Sequence, residues 1–374
     1  MTPEDRAWEV VRRAFEERTP SPRRRRVGNR LVLAGVAAAG AAAVAIAVIT
    51  PPGHAVLERV RRAVGIENAA PALASLPAPG RLLVVAPDGD GAWVVSADGL
   101  ERRLGDYTDA TWSPHGLYVV ATTRTRLEAL DVAHGVRWSL PRPGARWPRW
   151  EGTLTDTRIA YMTPQGLRVV AGDGTGDHLL DSRAARVAPA WDPARLHTLA
   201  YVTGRAVVLR STGSGRVVWR SRLTVSPTAL TWSTDGRLLA VLSPHKLVVL
   251  DAAGRLRRTY STLSETLVDA AFRPSTHDLA LSIRGSARSR LALVKLDRPQ
   301  TTSVLFAGPG RFGDFAWSPN GEWLLLDWPT ANQWLFLHGS RVRAVANIER
   351  QFPRPDRAGP GLGLDNRWCC VASK

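Results

Sequence analysis

The chain has 374 residues, of which 44% are hydrophobic and 14 are tryptophan, so it can bury a substantial core. Its 32 glycines and 26 prolines are spread along the sequence, which argues against a disordered tract and for many turns. The formal net charge is +17, but the arginines that carry it are scattered after residue 60 and do not alternate with aromatic residues. The composition therefore predicts no specific nucleic-acid partner.

The N-terminal segment predicts a short amphipathic helix. Thr2 and Pro3 are typical of a helix start, and Trp8, Val11 and Phe15 fall on one face of the helix that follows. Because so short a helix cannot form a core alone, we expect this face to contact either the membrane surface or a cytoplasmic regulator. Residues 1–30 are therefore predicted to be a cytoplasmic helix followed by a basic linker.

Residues 31–49 predict a single transmembrane helix. The run LVLAGVAAAGAAAVAIAVI is uncharged and long enough to span about 28 Å as a helix. Arg23–Arg26 and Arg30 precede it, and no charge follows until Glu58, which favours a cytoplasmic N-terminus and an extracytoplasmic remainder. A cleaved signal peptide and a core helix of a soluble protein are the alternatives.

Residues 50–79 predict a juxtamembrane helix followed by a linker. Val56, Leu57, Val60 and Val64 form an apolar stripe, which is typical of a helix lying at a membrane interface. The segment rich in alanine and proline that follows, residues 69–79, predicts an extended linker to the next domain.

From residue 80 onward the sequence repeats with a period of about 40 residues, which is typical of a β-propeller. Each unit contains a short strand that ends on an aromatic residue, a turn rich in Pro, Asp and Gly, and then three further strands. The turn reads WSPHG, WSTDG and WSPNG in three units and is less regular in the others. The predicted anchor residues of the repeats are Trp112, Trp150, Trp191, Trp232, Phe272, Trp317 and Trp368.

The anchors predict an all-β propeller over residues 80–374, with seven blades favoured and six as the alternative. Residues 81–105 contain three strands without an anchor, and the segment around Trp368 can supply the missing strand from the C-terminal side. Pairing the two ends closes the ring and covers its open edges. Within each turn we expect Ser and Asp side chains to bond to backbone amides and Gly to adopt a conformation that other residues resist.

The WSPHG, WSTDG and WSPNG turns, each followed by an apolar strand, resemble the TolB-like, WD40-like repeat. The resemblance covers about residues 80 to 374 and implies a propeller. The order of a short cytoplasmic helix, one membrane span and a propeller is similar to that of actinobacterial membrane-anchored proteins of poorly defined function.

The sequence offers no catalytic, cofactor or metal site. It contains no HExxH, P-loop or GxSxG motif, and its eight histidines lack metal-ligand spacing. The segment DGTGD, Asp173–Asp177, predicts a hairpin turn, with a cation site as the alternative. Adjacent Cys369 and Cys370 predict two buried thiols on opposite faces of a strand, with a vicinal disulfide as the alternative.

These features favour a membrane-anchored binding or scaffold protein whose extracytoplasmic propeller recognises a protein or peptide and couples it to a cytoplasmic partner. The alternative function is an extracytoplasmic hydrolase or lyase with a site assembled in the propeller channel. That site would need acidic or histidine side chains from several blades to converge at one mouth of the ring.

Overall fold

The computed structural model describes residues 73–86, 91–297, 301–352 and 365–370. These residues form seven four-stranded antiparallel sheets, which confirms the prediction of an all-β propeller with seven blades. Within each blade we name the strands A to D from the innermost outward. Blades 2 to 7 follow the predicted order of one strand, a turn and three more strands.

Blade 1 joins the two ends of the described chain; its strands A to D are Asp365–Cys369 (β28), Arg81–Ala86 (β1), Gly91–Val95 (β2) and Glu101–Gly105 (β3). Blade 2 consists of Asp109–Trp112 (β4), Tyr118–Thr122 (β5), Arg126–Asp131 (β6) and Gly135–Pro141 (β7). Blade 3 consists of Arg146–Gly152 (β8), Thr157–Thr163 (β9), Gly166–Ala171 (β10) and His178–Asp181 (β11). Blade 4 consists of Ala190–Trp191 (β12), Thr198–Thr203 (β13), Ala206–Ser211 (β14) and Val217–Arg222 (β15).

Blade 5 consists of Ala229–Trp232 (β16), Leu238–Ser243 (β17), Lys246–Asp251 (β18) and Leu256–Ser261 (β19). Blade 6 consists of Thr266–Phe272 (β20), Asp278–Arg284 (β21), Arg288–Lys295 (β22) and Thr301–Pro309 (β23). Blade 7 consists of Phe315–Trp317 (β24), Leu324–Trp328 (β25), Gln333–His338 (β26) and Arg341–Ala346 (β27). A short helix, α1 (Ile348–Gln351), follows blade 7.

The A strands form the inner ring, because each of them contacts the A strand of the next blade. The B and C strands are almost wholly buried, as their Val, Leu and Ala content predicts. The hydrophobic core is divided among the blade junctions. One cluster, for example, joins Leu83 and Val94 of blade 1 to Trp112 and Val119 of blade 2.

The two ends of the ring carry different turns. In an antiparallel blade the A–B and C–D turns lie at one end, and the B–C turns and D–A connections lie at the other. We call these the A–B end and the B–C end. The described N-terminal residues approach at the A–B end, where Leu76 N donates to Ala97 O in the C–D turn of blade 1 at 2.9 Å.

The ring closes by the pairing that the sequence predicted. Strand β28 pairs antiparallel with β1, and Trp368 lies opposite Leu82. Arg367 of β28 also reaches blade 2, where its Nη2 lies 3.2 Å from Asp109 Oδ1 and its Nε donates to Ala110 O at 2.8 Å. The closing strand β28 is therefore bound to β1 within blade 1 and to β4 of blade 2.

The prediction for the two cysteines is wrong. The structure joins Cys369 and Cys370 in a vicinal disulfide instead of placing two thiols on opposite faces. Strand β28 ends at Cys369, and Cys370 adopts a left-handed backbone with φ of 42°, so the alternation of strand side chains stops there. A Cβ placed on Gly116 would lie 3.1 Å from Cys370 Sγ, which shows how closely the disulfide packs on the WSPHG turn.

Within the part of the chain that the structure describes, no helix has the length and hydropathy needed to cross a membrane. The predicted cytoplasmic helix with Trp8, Val11 and Phe15, the predicted transmembrane run 31–49 and the predicted juxtamembrane helix all lie outside the described residues. These three assignments stay predictions.

Candidate binding surfaces at the two ends of the ring

The recurrent WSxxG turn is built as its residue types predict. In three blades the Ser Oγ accepts a hydrogen bond from the backbone N–H five residues later: Tyr118 N to Ser113 at 2.9 Å, Leu238 N to Ser233 at 3.0 Å and Trp323 N to Ser318 at 2.9 Å. The Gly of each turn is left-handed, with φ between 68° and 69°. The Ser and Gly of the motif therefore stabilise the turn between strands A and B.

The anchor tryptophans connect neighbouring blades through one repeated hydrogen bond. The indole N–H of four anchors donates to the carbonyl of the residue that precedes the anchor of the blade before. The bonds are Trp112 to Arg367 O at 3.0 Å, Trp191 to Arg149 O at 2.8 Å, Trp232 to Ala190 O at 3.3 Å and Trp317 to Ala271 O at 3.4 Å. These anchors orient each blade against the previous one.

The remaining predicted anchors depart from this pattern. Trp150 lies inside β8 and Trp368 lies inside β28, and both indole N–H groups are buried without a partner. Trp150 stacks instead on Tyr118 of blade 2, with ring centroids 6.2 Å apart. Phe272 ends β20 and is buried, but it has no N–H to donate.

Two arginines cover the anchor of the following blade. The guanidinium of Arg273 lies 5.6 Å from the centroid of the Trp317 ring and donates from Nε to Gly321 O at 2.7 Å. Arg81 repeats this arrangement over Trp112, with a distance of 4.9 Å and a hydrogen bond to Gly116 O. These cations are part of the blade junctions and are not free to bind a ligand.

Exposed apolar side chains gather at the A–B end. Ten large apolar side chains are exposed among the described residues, and nine of them lie in, or within two residues of, an A–B or C–D turn. These nine are Leu100, Leu117, Val136, Leu154, Leu179, Leu196, Val217, Val218 and Leu256, all in blades 1 to 5. We call this set the apolar arc. A concentration of this kind on one face is typical of an interaction surface.

The centre of the apolar arc occupies the A–B turns of three consecutive blades. Leu117, Leu154 and Leu196 occupy the A–B turns of blades 2, 3 and 4 and are 51%, 72% and 51% exposed. The turns of blades 3 and 4 are joined by Asp156 and His197, whose Oδ2 and Nε2 lie 2.9 Å apart. The turn of blade 2 meets blade 3 through the Tyr118 ring described above. The three leucines therefore follow one path along the A–B end.

His197 lies between two carboxylates at this end. Its Nδ1 is 2.5 Å from Glu151 Oε1, and Asp156 holds its other ring nitrogen. Burial raises the pKa of the Glu151 carboxyl, whereas the hydrogen bond from His197 lowers the pKa of Asp156. All three groups are used in joining blades 3 and 4, so the histidine is a structural link rather than a catalytic base.

His277 forms a second link of the same kind. Its Nε2 lies 3.0 Å from Asp235 Oδ2 in the WSTDG turn of blade 5, and its Nδ1 lies 2.7 Å from Asp297 Oδ1. Burial alone would lower the pKa of His277, but its two carboxylate partners outweigh burial and raise it above the ordinary value. Burial opposes the shift of Asp235, but hydrogen bonds from Ser233, Arg237 N and His277 lower its pKa to about 2.

The B–C end is basic and lacks the apolar arc. Of the ten exposed apolar side chains only Leu263 lies in a D–A connection. Exposed basic residues occupy the turns, connections and strand ends here, namely Arg124, Arg126, Arg146, Arg183, Arg186, Arg205, Arg222, Arg288 and Arg311. Among them Arg126 has a carboxylate partner in Glu128, at 3.2 Å. The two ends therefore differ in their exposed apolar side chains, and the B–C end carries a row of exposed arginines.

The DGTGD segment forms the C–D turn of blade 3, as its turn interpretation predicts. Asp173 Oδ1 accepts from Thr175 N at 2.9 Å, and Asp177 receives hydrogen bonds from Arg142, Arg168 and Tyr161. Burial opposes the shift, but these donors hold the pKa of Asp177 below its ordinary value. Burial and the bond to Asp177 raise the pKa of Tyr161 to about 12. Asp177 is thus saturated by cationic and hydroxyl donors, which leaves no ligand for a metal ion.

Comparison with known proteins defines the fold and not the ligand. No family model and no curated protein matches the chain. Solved structures match with low identity: the C-terminal WD40 domain of Sif2 gives a TM-score of 0.55 at 12% identity, covering 75% of this chain and 89% of that one. A functionally unknown protein from Desulfotomaculum acetoxidans DSM 771 gives 0.57 at 12% identity, covering 78% and 99%. A chain of the Mitotic Checkpoint Complex gives 0.54 at 15% identity, covering 73% and 94%.

These neighbours have WD40-like propellers among them, so the WD40-like part of the resemblance is supported at the level of the fold. Within the described residues no group of His, Cys, Asp and Glu is arranged to hold a metal ion. No described histidine lies on an A strand, and the A-strand carboxylates of Asp109 and Glu151 are engaged by Arg367 and His197. The exposed surfaces at the two ends of the ring are the candidate binding sites.

Sequence reasoning did not find the apolar arc or the two histidine links. Each histidine has a carboxylate partner in the preceding blade, about 40 residues away in sequence, so no local spacing reveals them. The sequence does contain one indication of the apolar arc. Leu117, Leu154 and Leu196 each follow an anchor by four or five residues, inside a turn where polar residues are expected.

Proposed function

We propose that the protein is a membrane-tethered binding module whose propeller docks a protein partner on the apolar arc. The observation that carries the proposal is the segregation of exposed apolar side chains to one end of the ring. Protein interfaces are distinguished by an apolar centre within a polar rim, and carboxylates of the surrounding turns supply such a rim here. Leu117, Leu154 and Leu196 would form the centre of the interface.

Site-specific photo-crosslinking in native membranes tests this docking surface. A photoreactive residue at Leu154 is expected to give a crosslinked adduct of defined mass. The same residue at Gln165, in the exposed B–C turn of the same blade, serves as the matched control and is expected to give none. Leu117→Glu with Leu196→Glu should remove the adduct at position 154, because charges at these positions would have to be desolvated in the interface. Equal labelling at positions 154 and 165 would contradict the proposal.

The membrane attachment is supported by the sequence alone. The uncharged run 31–49 preceded by an arginine-rich segment favours a span with a cytoplasmic N-terminus and an extracytoplasmic propeller. In this arrangement the face with Trp8, Val11 and Phe15 would contact a cytoplasmic regulator and couple it to docking outside.

Protease added to intact cells tests the topology. A C-terminal tag should be digested while an N-terminal tag is protected until the cells are opened. Loss of the N-terminal tag from the mature protein would show a cleaved signal peptide instead, and protection of both tags would show that the propeller is inside. Either result would remove the coupling part of the proposal without affecting the docking experiment.

A further inference from the structure

Four exposed arginines meet at the B–C end on the seam between blades 3 and 4. Arg183 and Arg186 lie in the connection between these blades, Arg205 lies in the B–C turn of blade 4, and Arg222 ends its outer strand. We call these four residues the arginine cluster.

Backbone contacts bring the members of the cluster together. Thr203 Oγ1 donates to Arg183 O at 3.1 Å, so the connection lies against the B–C turn that contains Arg205. Arg222 lies opposite Ala206 in the register of strands β14 and β15, one residue from Arg205. Arginines separated by up to about 40 residues in sequence therefore occupy one small region of the surface.

The cluster lacks a neutralising carboxylate within the described residues, where none of its four guanidinium groups takes part in an ion pair. The nearest acidic residue in sequence is Asp181, whose carboxylate accepts from Tyr201 Oη at 3.0 Å and from the backbone N of Arg183 at 2.8 Å. The neighbouring pair Arg142 and Arg168 differs, because both bind Asp177. The four exposed positive charges therefore contribute no ion pair to the fold and repel one another modestly through water.

The surroundings of the cluster discriminate among anionic ligands. No aromatic side chain is exposed among the residues whose burial is described, so bases of a single strand would find no stacking platform. Without exposed large apolar side chains beside it, the cluster would bind its ligand mainly through charge.

We propose that the arginine cluster is a second docking site, which binds an acidic, carboxylate-rich protein segment. The planar guanidinium presents paired N–H donors that match the two oxygens of a carboxylate, which favours arginine over lysine at such sites. The short B–C turn of blade 4 and the neighbouring connection present these groups at the tip of the ring, where an extended segment can reach all four. The site is separate from the apolar arc and does not depend on it.

Fluorescence anisotropy with the full chain in detergent tests the proposal. The probe is a labelled peptide of alternating glutamate and serine, with the glutamine and serine peptide as its neutral counterpart. Substitution of Arg183, Arg186, Arg205 and Arg222 by Gln should weaken binding of the acidic probe by about tenfold or more, because four exposed ion pairs of modest strength are lost together. Binding should also weaken as NaCl increases.

The matched control replaces four exposed arginines at or near the A–B end that have no ion pair among the described residues, Arg137, Arg216, Arg255 and Arg257, by Gln. It removes the same charge, so a comparable loss of affinity in both variants would overturn the proposal and leave only general attraction by a basic chain. All eight positions are exposed, and equal unfolding temperatures of the two variants and the wild type verify the fold. The single variant Arg205→Glu repeats the test with the smallest change.

Competition decides between classes of ligand. Polyphosphate, duplex DNA and vesicles of phosphatidylglycerol in phosphatidylcholine are each measured against the acidic peptide. The proposal requires that the loss caused by the cluster variant be largest for the peptide. A larger cluster-dependent loss for DNA or for vesicles would overturn it in favour of that ligand. A failure to observe crosslinking at Leu154 would not change these binding measurements, so the proposals for the apolar arc and the arginine cluster are tested independently.

Discussion

Both ends of the propeller consist mainly of short turns, yet their charged residues have different roles. At the A–B end the carboxylates are part of the fold: Asp131 Oδ1 accepts from Ala133 N at 2.8 Å, and Asp251 Oδ1 accepts from Ala253 N at 3.0 Å. Asp98 and Asp173 cap the corresponding turns of blades 1 and 3. Turn geometry thus accounts for the acidic residues at this end.

The B–C end has no comparable use for its arginines. Its turns are closed by backbone hydrogen bonds, such as Thr123 N to Arg126 O at 2.9 Å and Gly285 N to Arg288 O at 2.8 Å. Apart from Arg126, which binds Glu128, the exposed arginines of these turns have no carboxylate partner among the described residues and are available to a binding partner. A charged side chain therefore indicates a binding function only when it is not already needed to form a turn.

The largest expected effect comes from removing an anchor on which both ends depend. Trp232→Ala should reduce the free energy of unfolding by about 3–5 kcal/mol, because the buried indole fills the junction of blades 4 and 5 and donates to Ala190 O. Chemical denaturation measures this change. Trp232→Phe, which keeps much of the packing, should cost less than half as much, and equal costs for both variants would assign the effect to the hydrogen bond alone.

Asp177 offers the next largest effect, because it neutralises Arg142 and Arg168, whereas the arginines of the cluster have no such partner. Asp177→Asn should cost about 3 kcal/mol at neutral pH, because Arg142 and Arg168 would lose their shared carboxylate in a partly buried site. The pKa of Asp177 is lowered, so its contribution is present above the ordinary value of 3.8 and is lost as the pH falls below it. Unfolding curves of variant and wild type should converge in acid; a constant difference would exclude the ionic explanation.

His277 should give a smaller, pH-dependent effect at the A–B end. Its pKa is raised above the ordinary value of 6.5, so its contribution is complete below that pH and is lost as the pH rises through the folded-state value. His277→Asn should therefore cost about 0.5–1 kcal/mol at pH near 6 and less in mild alkali. Thermal unfolding over this range tests the sign. His115→Asn, the same substitution at an exposed histidine in the A–B turn of blade 2, provides the control.

The smallest effect on stability is expected where we place the docking surface. Leu117→Ser, Leu154→Ser and Leu196→Ser combined should change the free energy of unfolding by only about 0.5 kcal/mol, because these side chains are largely exposed and contribute little to the core. Denaturation of the triple variant measures this. A loss comparable to that of Trp232→Ala would show that the leucines are structural and would remove the basis for the apolar arc as a binding surface.

The seven-blade architecture could be predicted because each blade repeats local chemistry. The Trp, Ser and Gly of the WSxxG turns are required by the local geometry of the turn, so their spacing predicts the positions of the blades. Trp150 and Trp368 are less clear in the sequence, because neither is followed by the WSxxG motif. In the structure their indoles also lack the hydrogen bond that the other tryptophan anchors make.

The candidate sites could not be predicted in the same way, because they depend on contacts between blades. The arginine cluster joins residues from a connection, a turn and a strand end, and nothing in their sequence spacing indicates that Arg183 and Arg222 are neighbours. The state of Cys369 and Cys370 could not be predicted for a local reason. Strand alternation separates adjacent side chains, and only the left-handed backbone of Cys370 removes that separation.

The pairing of β28 with β1 also has a consequence for how the ring is made. Blades 2 to 7 each consist of strands that follow one another in sequence, so their hairpins can form soon after the residues are available. Blade 1 must wait, because Arg81 and Cys369 are partners across nearly the whole described chain. Loop-closure entropy makes such a contact slow to form. We therefore expect closure of the ring to be the late step of folding, with the edges of blades 1 and 7 exposed to aggregation until it is complete.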